Sequence, residues 1–228
     1  VVKESFAFLF VGHWLQGSLG HDRKDLGMLI RMFLDTFKNK VKVPALILKT
    51  SGASFSVLDR EDILAKINQI KLSMGNHKFP KIYVLHGDLT DDEMNELYNH
   101  PKVKAHVTFT HGEGFGRPLL EAVFSEKPII APKWSGHLDF LPEKYVTLLP
   151  GGLTNVPNES LQKGLVVDGA QWFTVDYGFA SKVLKDVFDS YRKYTQSTKV
   201  LAMMNKNKFS MDAMTLAFEG MLDKYLPE

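Results

Sequence analysis

The chain has 228 residues, with 28 Lys and Arg against 26 Asp and Glu, giving a formal net charge of +2. That balance argues against a dedicated nucleic-acid binder, and a hydrophobic content of 44% excludes a chain that is mainly disordered. The absence of cysteine excludes disulfide scaffolds, thiolate zinc sites and cysteine nucleophiles. No apolar run reaches the length of a transmembrane segment. The opening Val1-Val2-Lys3-Glu4 is neither a signal peptide nor an initiator methionine, so the chain reads as a piece of something longer.

The first half alternates two signals. Short apolar runs cover Phe6–Val11, Ala45–Leu48, Ile82–Leu85, Val103–Phe109 and Pro128–Ala131. Their continuous apolarity fits strands buried on both faces of a parallel sheet. Between them, Leu26, Leu29, Ile30, Phe33, Leu34 and Phe37 recur at helical spacing, and Ile63, Leu64, Ile67, Ile70 and Met74 repeat it. Thr90 and Glu93 make a capping box for a further helix, with Leu89 and Met94 as its staple. This order predicts a doubly wound, Rossmann-like α/β domain with right-handed crossovers.

The second half is less regular. Residues 150–177 are rich in Gly, Pro, Asn and Ser, and read as long loops with at most a short strand. One helical pattern then uses Val183, Leu184, Val187, Phe188 and Tyr191, and another uses Met214, Ala217, Phe218, Met221, Leu222 and Tyr225. The methionines of the last helix are expected in the core. Helices over 178–228 are expected to pack on a single domain spanning 1–228.

Ligands of open α/β sheets bind at the carboxyl ends of the strands. The segments following the five runs include Gly12-His13-Trp14 with Asp22-Arg23-Lys24-Asp25, Lys49-Thr50-Ser51-Gly52, His86-Gly87-Asp88, Thr110 to Pro118, and Pro132 to His137. This rim is glycine-rich and cationic, which suits an anionic ligand such as a phosphate. In the fourth segment Gly112, Gly114 and Gly116 allow close backbone approach, and Pro118 places a helix start near Arg117. A dinucleotide fingerprint fails, because Arg117 stands at the third glycine position and the strand is the wrong one. A Walker A loop is absent. The histidines show no metal-ligand spacing, so no metal site is expected.

The segment Glu113-Gly114-Phe115-Gly116-Arg117-Pro118-Leu119-Leu120-Glu121-Ala122, followed by Lys127-Pro128-Ile129-Ile130-Ala131 and Ser135-Gly136, strongly resembles the Glu-x7-Glu signature of retaining, nucleotide-sugar-dependent glycosyltransferases of the two-domain GT-B fold. Leu85-His86-Gly87-Asp88-Leu89 and Thr110 follow that family's order. The resemblance covers about residues 5–142 well and the rest weakly. It implies the C-terminal, donor-binding half of such an enzyme, with the N-terminal acceptor domain absent from this chain and expected as a partner in cis. The implied substrates are a nucleoside-diphosphate sugar and an acceptor glycan, lipid or protein, without a further cofactor or metal. A cytoplasmic location and little activity of this half alone are expected.

By the same resemblance Glu113 would hold donor-sugar hydroxyls, and Lys24 would neutralise the diphosphate leaving group. The amides of Gly114, Phe115 and Gly116 would contact sugar and distal phosphate, and Glu121 would accept the ribose hydroxyls. Gly12, Thr110 and His111 complete the expected donor crevice. His13 stands where the family usually has arginine, with Arg23 as the substitute charge. That departure keeps a second reading open, a non-catalytic module that binds sugar nucleotides or serves as a scaffold. A sugar-phosphate epimerase on the same architecture is a third.

Overall fold

The computed structural model describes residues 2–15, 17, 19–161, 166–167 and 169–226. The expected loop 150–177 therefore lies partly outside the described residues, as does the end of the expected helical region at 227–228.

Five strands fall where continuous apolar runs predict them: β1 (Ala7–Val11), β2 (Ala45–Lys49), β3 (Ile82–Leu85), β4 (Val103–Val107) and β5 (Ile129–Pro132). A sixth, β6 (Thr147–Leu149), joins the edge. The order is β3-β2-β1-β4-β5-β6 with every pairing parallel, so the sheet is doubly wound and its strands all point the same way. Order reverses between β1 and β4, which opens the crevice that ligands use in such sheets.

The crossovers run through α1 (Leu26–Phe37), α2 (Val57–Ser73), α3 (Asp91–Asn99) and α4 (Arg117–Val123). The reciprocal capping of Thr90 and Glu93 starts α3 as the sequence dictates. Two apolar layers cover the sheet. On one side Phe8, Phe10, Phe33 and Leu34 pack with Val183 and Leu184 of α5 (Tyr177–Asp189). On the other, Leu9, Ile47 and Ile129 pack with Leu119, Phe140 and Leu201.

The second half departs from expectation in three ways. Residues 151–155 and 171–175 pair as an antiparallel hairpin, β7 (Gly151–Asn155) and β8 (Gln171–Val175), two strands where long loops with at most one short strand are expected. A short α6 (Tyr191–Tyr194) is followed by an unexpected α7 (Thr198–Lys208), anchored by buried Leu201, Ala202 and Asn205. The last helix, α8 (Met211–Tyr225), exists as expected, but Met211, Met214, Phe218 and Met221 are exposed, not core. Its apolar spacing is real; nothing among the described residues covers it. No helix among the described residues is long and apolar enough to cross a membrane.

Candidate functional site

The carboxyl edge of the sheet carries a cavity of about 760 Å³. Its lining draws on the end of β1 (Gly12, His13), the start of α1 (Arg23, Lys24), the end of β2 (Lys49, Ser51), the turn into α3 (Asp88, Leu89, Asp91) and the first turns of α4 (Arg117, Glu121). A hollow of about 20 Å³ adjoins it, with Lys24 again in its wall beside Glu113 and Gly116.

The loop between β1 and α1 is held by a buried carboxylate. Asp22 Oδ1 accepts from the amides of Lys24 at 3.1 Å and Leu26 at 3.2 Å, and Oδ2 lies 3.5 Å from the amide of Gly27. Asp22 thus satisfies the first amides of α1, which needs them satisfied because its end is buried. The formal N-cap, Asp25, adopts left-handed φ 50° and offers no cap of its own. Its Oδ2 accepts from the Tyr177 hydroxyl at 2.6 Å, while its Oδ1 is buried without a partner. Burial pushes the Asp25 carboxyl up to about 7, against the hydrogen bond from Tyr177.

Between these two carboxylates the chain projects Lys24 to the crevice. Its ammonium forms a short ion pair with Glu113, and both side chains are about one-tenth exposed. Burial lowers the Lys24 pKa, and the Glu113 charge works against that lowering. Arg23 Nη1 lies 3.6 Å from Glu113 Oε2 and donates to the Gly112 carbonyl at 3.0 Å. Two cations therefore converge on one carboxylate at the crevice floor.

The loop 112–116 is fixed from behind by the turn after β5. Ser135 Oγ donates to the Glu113 carbonyl at 2.6 Å and accepts from the Glu113 amide at 2.9 Å. The Gly136 amide donates to the same carbonyl at 3.1 Å. Gly116, at φ 90°, starts α4 without any side-chain cap. The Phe115 ring packs 5.2 Å from Phe140 and 5.7 Å from Phe209, which anchors the loop.

At the far end, Glu121 is held by two donors: Arg117 Nε at 2.6 Å and the Tyr98 hydroxyl at 3.0 Å. Lys49 Nζ, on the cavity wall, donates to the Gly87 carbonyl at 2.7 Å and so ties the end of β2 to the loop after β3. His13 Nδ1 lies 2.9 Å from Ser51 Oγ.

Gly12, His13, Arg23, Lys24 and Glu121 share the main cavity, with Glu113 and Gly116 on the adjoining hollow. Gly114 lies against the turn at Gly136. Thr110 and His111 lie beneath, both buried. Thr110 Oγ1 donates to the Gly112 carbonyl at 3.1 Å, with the Arg23 carbonyl at 3.3 Å as the alternative acceptor, and the His111 ring donates from Nδ1 to the Phe173 carbonyl at 2.7 Å. The His111 ring also stacks on Trp172, with centroids 3.9 Å apart, so it ties the hairpin to the sheet. Tyr98 and Tyr177 carry supporting contacts without any sequence signal of their own, whereas Asp22 and Asp25 stand on the expected rim, where the sequence assigns them no individual role. Among the described residues no cluster of three or more His, Asp or Glu could hold a metal ion.

No family model matches the chain, and no curated protein matches it in sequence. Solved structures match its fold. Anabaena HepE, crystallised with UDP-glucose, superposes with a TM-score of 0.58 at 15% identity, over 94% of this chain and 48% of its own. A glycosyltransferase from Rickettsia africae gives 0.62 at 14% identity, over 98% and 48%. The C-terminal domain of the group 1 glycosyl transferase LpcC from Francisella tularensis gives 0.55 at 17% identity, over 88% and 86%. The chain spans about half the length of HepE and of the Rickettsia protein, and most of the isolated LpcC domain. The shared feature is the architecture: a six-stranded, Rossmann-like parallel sheet flanked by helices, matching the C-terminal domains of GT-B glycosyltransferases.

Proposed function

We propose that this chain is the donor-binding domain of a glycosyltransferase that passes a sugar from a nucleoside diphosphate to an acceptor hydroxyl with retention of anomeric configuration. The observation that carries this reading is the Lys24–Glu113 ion pair on the crevice floor, with Arg23 beside it and Glu121 at the other end of one cavity. In the reaction the bond from the anomeric carbon to the diphosphate oxygen breaks. The acceptor oxygen bonds to the same carbon, and its proton departs with the diphosphate. Charge accumulates on the leaving group, where Lys24 and Arg23 are already placed, and fixed cations in a partly desolvated site stabilise it without reorganising. Glu113, an acceptor-only group, suits the sugar hydroxyls, and Glu121 the vicinal hydroxyls of a ribose. An N-terminal domain in cis would supply acceptor recognition, so this chain alone is expected to bind donor and transfer little.

Calorimetric titration with UDP- and GDP-sugars tests the proposal. Wild-type protein is expected to bind at least one of them, and Lys24→Ala and Glu113→Ala to lose it. A folded protein that binds none at millimolar ligand overturns the reading.

The non-catalytic alternative has one observation in its favour. His13, at the position where arginine would supply charge, is turned to Ser51. Turnover by a longer protein carrying this domain, abolished by Glu113→Gln, eliminates that alternative.

A further inference from the structure

The two edges of the sheet differ in charge. The carboxyl edge mixes cations with Asp59, Asp88, Glu113 and Glu121. The opposite edge, where strands begin and helices end, collects lysines. Lys40 and Lys42 precede β2, Lys78 and Lys81 precede β3, and all four are exposed. None of the four has an ion pair among the described residues. Lys71 in the last turn of α2 and Lys104 in β4 extend the patch. Lys81 is near enough to Lys71, and Lys104 to Lys127, to depress their pKa values alongside burial.

Helix C-termini favour nearby cations, and that accounts for part of the patch. Lys127, for instance, donates to the carbonyls of Tyr98 and His100 at the end of α3. It does not account for Lys40, Lys42, Lys78 and Lys81, whose ammonium groups take no such carbonyl among the described residues. No carboxylate at this edge pairs with them either, among the described residues. Asp35 pairs with Lys38 at 2.6 Å, and Asp186 and Asp189 pair with Lys193 and Lys185, while Glu4 accepts from the Tyr83 hydroxyl at 2.9 Å.

The lysine-bearing loops are fastened together. Asn39, at φ 59°, donates its amide to the Lys78 carbonyl at 2.8 Å, and its side chain accepts from the Lys78 amide at 2.9 Å. The two lysine-bearing loops are thus held side by side on a fixed backbone, and Lys42 Nζ lies 5.9 Å over the Phe188 ring, a contact that leaves its charge uncancelled. Apolar tips stand among them. Val41, between Lys40 and Lys42, is fully exposed at 101%, and Leu72, beside Lys71, is 71% exposed.

We propose that this edge docks on an anionic lipid surface, with Lys40, Lys42, Lys78 and Lys81 over the headgroups and Val41 inserted between them. The chemistry favours lipid over RNA. The four cations are lysines, compact point charges without the arginine forks that read nucleic acid, and the exposed apolar tips Val41 and Leu72 are aliphatic; the exposed ring beside them, His77, is held edge-on against Phe79 and bonded to Asn39. Lysine clusters with apolar side chains at a membrane-facing surface bind anionic bilayers by these two attractions together. The proposal is independent of the donor reading, because the cavity lies at the other edge of the sheet.

Co-sedimentation of the full chain with phosphatidylcholine vesicles, with and without phosphatidylserine, is the test. Binding is expected only with phosphatidylserine, and raised salt should release it. Each single Lys→Gln change among the four lowers the partition coefficient about five-fold. Combined Lys40→Glu, Lys42→Glu, Lys78→Glu and Lys81→Glu abolishes binding while the circular dichroism melt stays as in wild type. The single changes keep the test decisive if the combined variant does not fold. Failure to bind phosphatidylserine vesicles at low salt, or equal binding by wild type and the single variants, overturns the proposal. Val41→Asp also weakens binding; a variant that partitions like wild type overturns insertion. A mobility shift with poly(U) that is tighter than vesicle binding at the same salt overturns the choice of lipid.

Discussion

The Tyr98 hydroxyl donates to Glu121 Oε2 at 3.0 Å, joining the last turn of one crossover helix to the first turns of another across the wall of the cavity. Tyr98 is 4% exposed, so its ring is fixed by packing, and its hydroxyl has the Glu121 carboxylate at 3.0 Å as the nearer acceptor and the Pro118 carbonyl at 3.4 Å as the farther one. Arg117 holds the other oxygen at 2.6 Å, but its side chain is 79% exposed, and an exposed i,i+4 pair contributes at most a few tenths of a kcal/mol. Tyr98 is therefore the partner that aims Glu121.

Tyr98→Phe should leave the fold intact and cost about 1 kcal/mol in a urea melt. If Glu121 receives ribose hydroxyls, the same change should weaken donor binding by about three- to ten-fold in calorimetry. Arg117→Ala should stay within about two-fold. Equal losses in the two variants would show that Tyr98 has no special part in orienting Glu121.

Gly136 is the second test of how the crevice is built. A Cβ at this position would lie 1.9 Å from the Gly114 carbonyl oxygen and 3.0 Å from that of Glu113. Both atoms are backbone, so neither can swing aside. Gly136→Ala must push the loop 113–116 away from the turn after β5, at a cost of about 1–3 kcal/mol. Lower urea stability and weakened donor binding are expected together. Gly87→Ala is a useful contrast. Its φ of 116° makes any side chain strained, but nothing lies within 4 Å of the added carbon. It should lose stability through backbone strain without displacing loop 113–116.

Much of this arrangement is legible in the sequence, for a physical reason. A parallel strand is buried on both faces, so β1, β2 and β5 are written as unbroken apolar runs, and Pro118 with Gly116 writes the start of α4. The hairpin is not legible. Gly151 to Asn155 are all exposed, so no burial pattern marks β7, and its partner reveals itself only through Phe173 and Val175. The three residues of β6 are too few to show a period. For α8 the periodic signal is genuine, yet periodicity reports only that a face is apolar, not what lies against it. The site divides in the same way. Glycines and charges on one loop can be read locally, whereas Asp25 meets Tyr177 across 152 positions, which no local pattern encodes.

The Lys24–Glu113 pair invites a double-mutant cycle. Lys24→Met strands Glu113 at about one-tenth exposure with only Arg23, 3.6 Å away, to compensate. Glu113→Gln leaves Lys24 in the same partly desolvated position without its counter-charge. Each single change should destabilise, and the double variant should recover part of the loss, because removing both charges removes the desolvation cost as well. A coupling of about 1–3 kcal/mol is expected. Additive losses would mean that the two groups do not sense each other in the folded protein.

The buried Asp25 makes stability depend on pH in an unusual direction. Its carboxyl rises from an ordinary 3.8 to about 7, mainly through burial, with the neighbouring Asp22 charge adding to the rise and the Tyr177 hydroxyl opposing it. A raised carboxyl binds its proton more tightly in the folded state. Its contribution is therefore fully present below about pH 4 and is lost as pH rises through about 7. His106 works the other way. Its ring is buried, its pKa falls from 6.5 to about 3, and its contribution is present above about pH 6.5 and lost on acidification. The two oppose each other between pH 4 and 6.5, so the net profile of the wild type does not isolate either. The difference between wild type and Asp25→Asn does. Urea stability of the wild type relative to that variant should fall between pH 4 and 8, by an amount on the order of 3 kcal/mol. The Tyr177 hydroxyl can still donate to the asparagine oxygen, so the variant changes the charge while leaving that contact available. A difference that stays flat over this range would show that Asp25 titrates as an ordinary carboxylate, and that its unpartnered Oδ1 is reached by solvent.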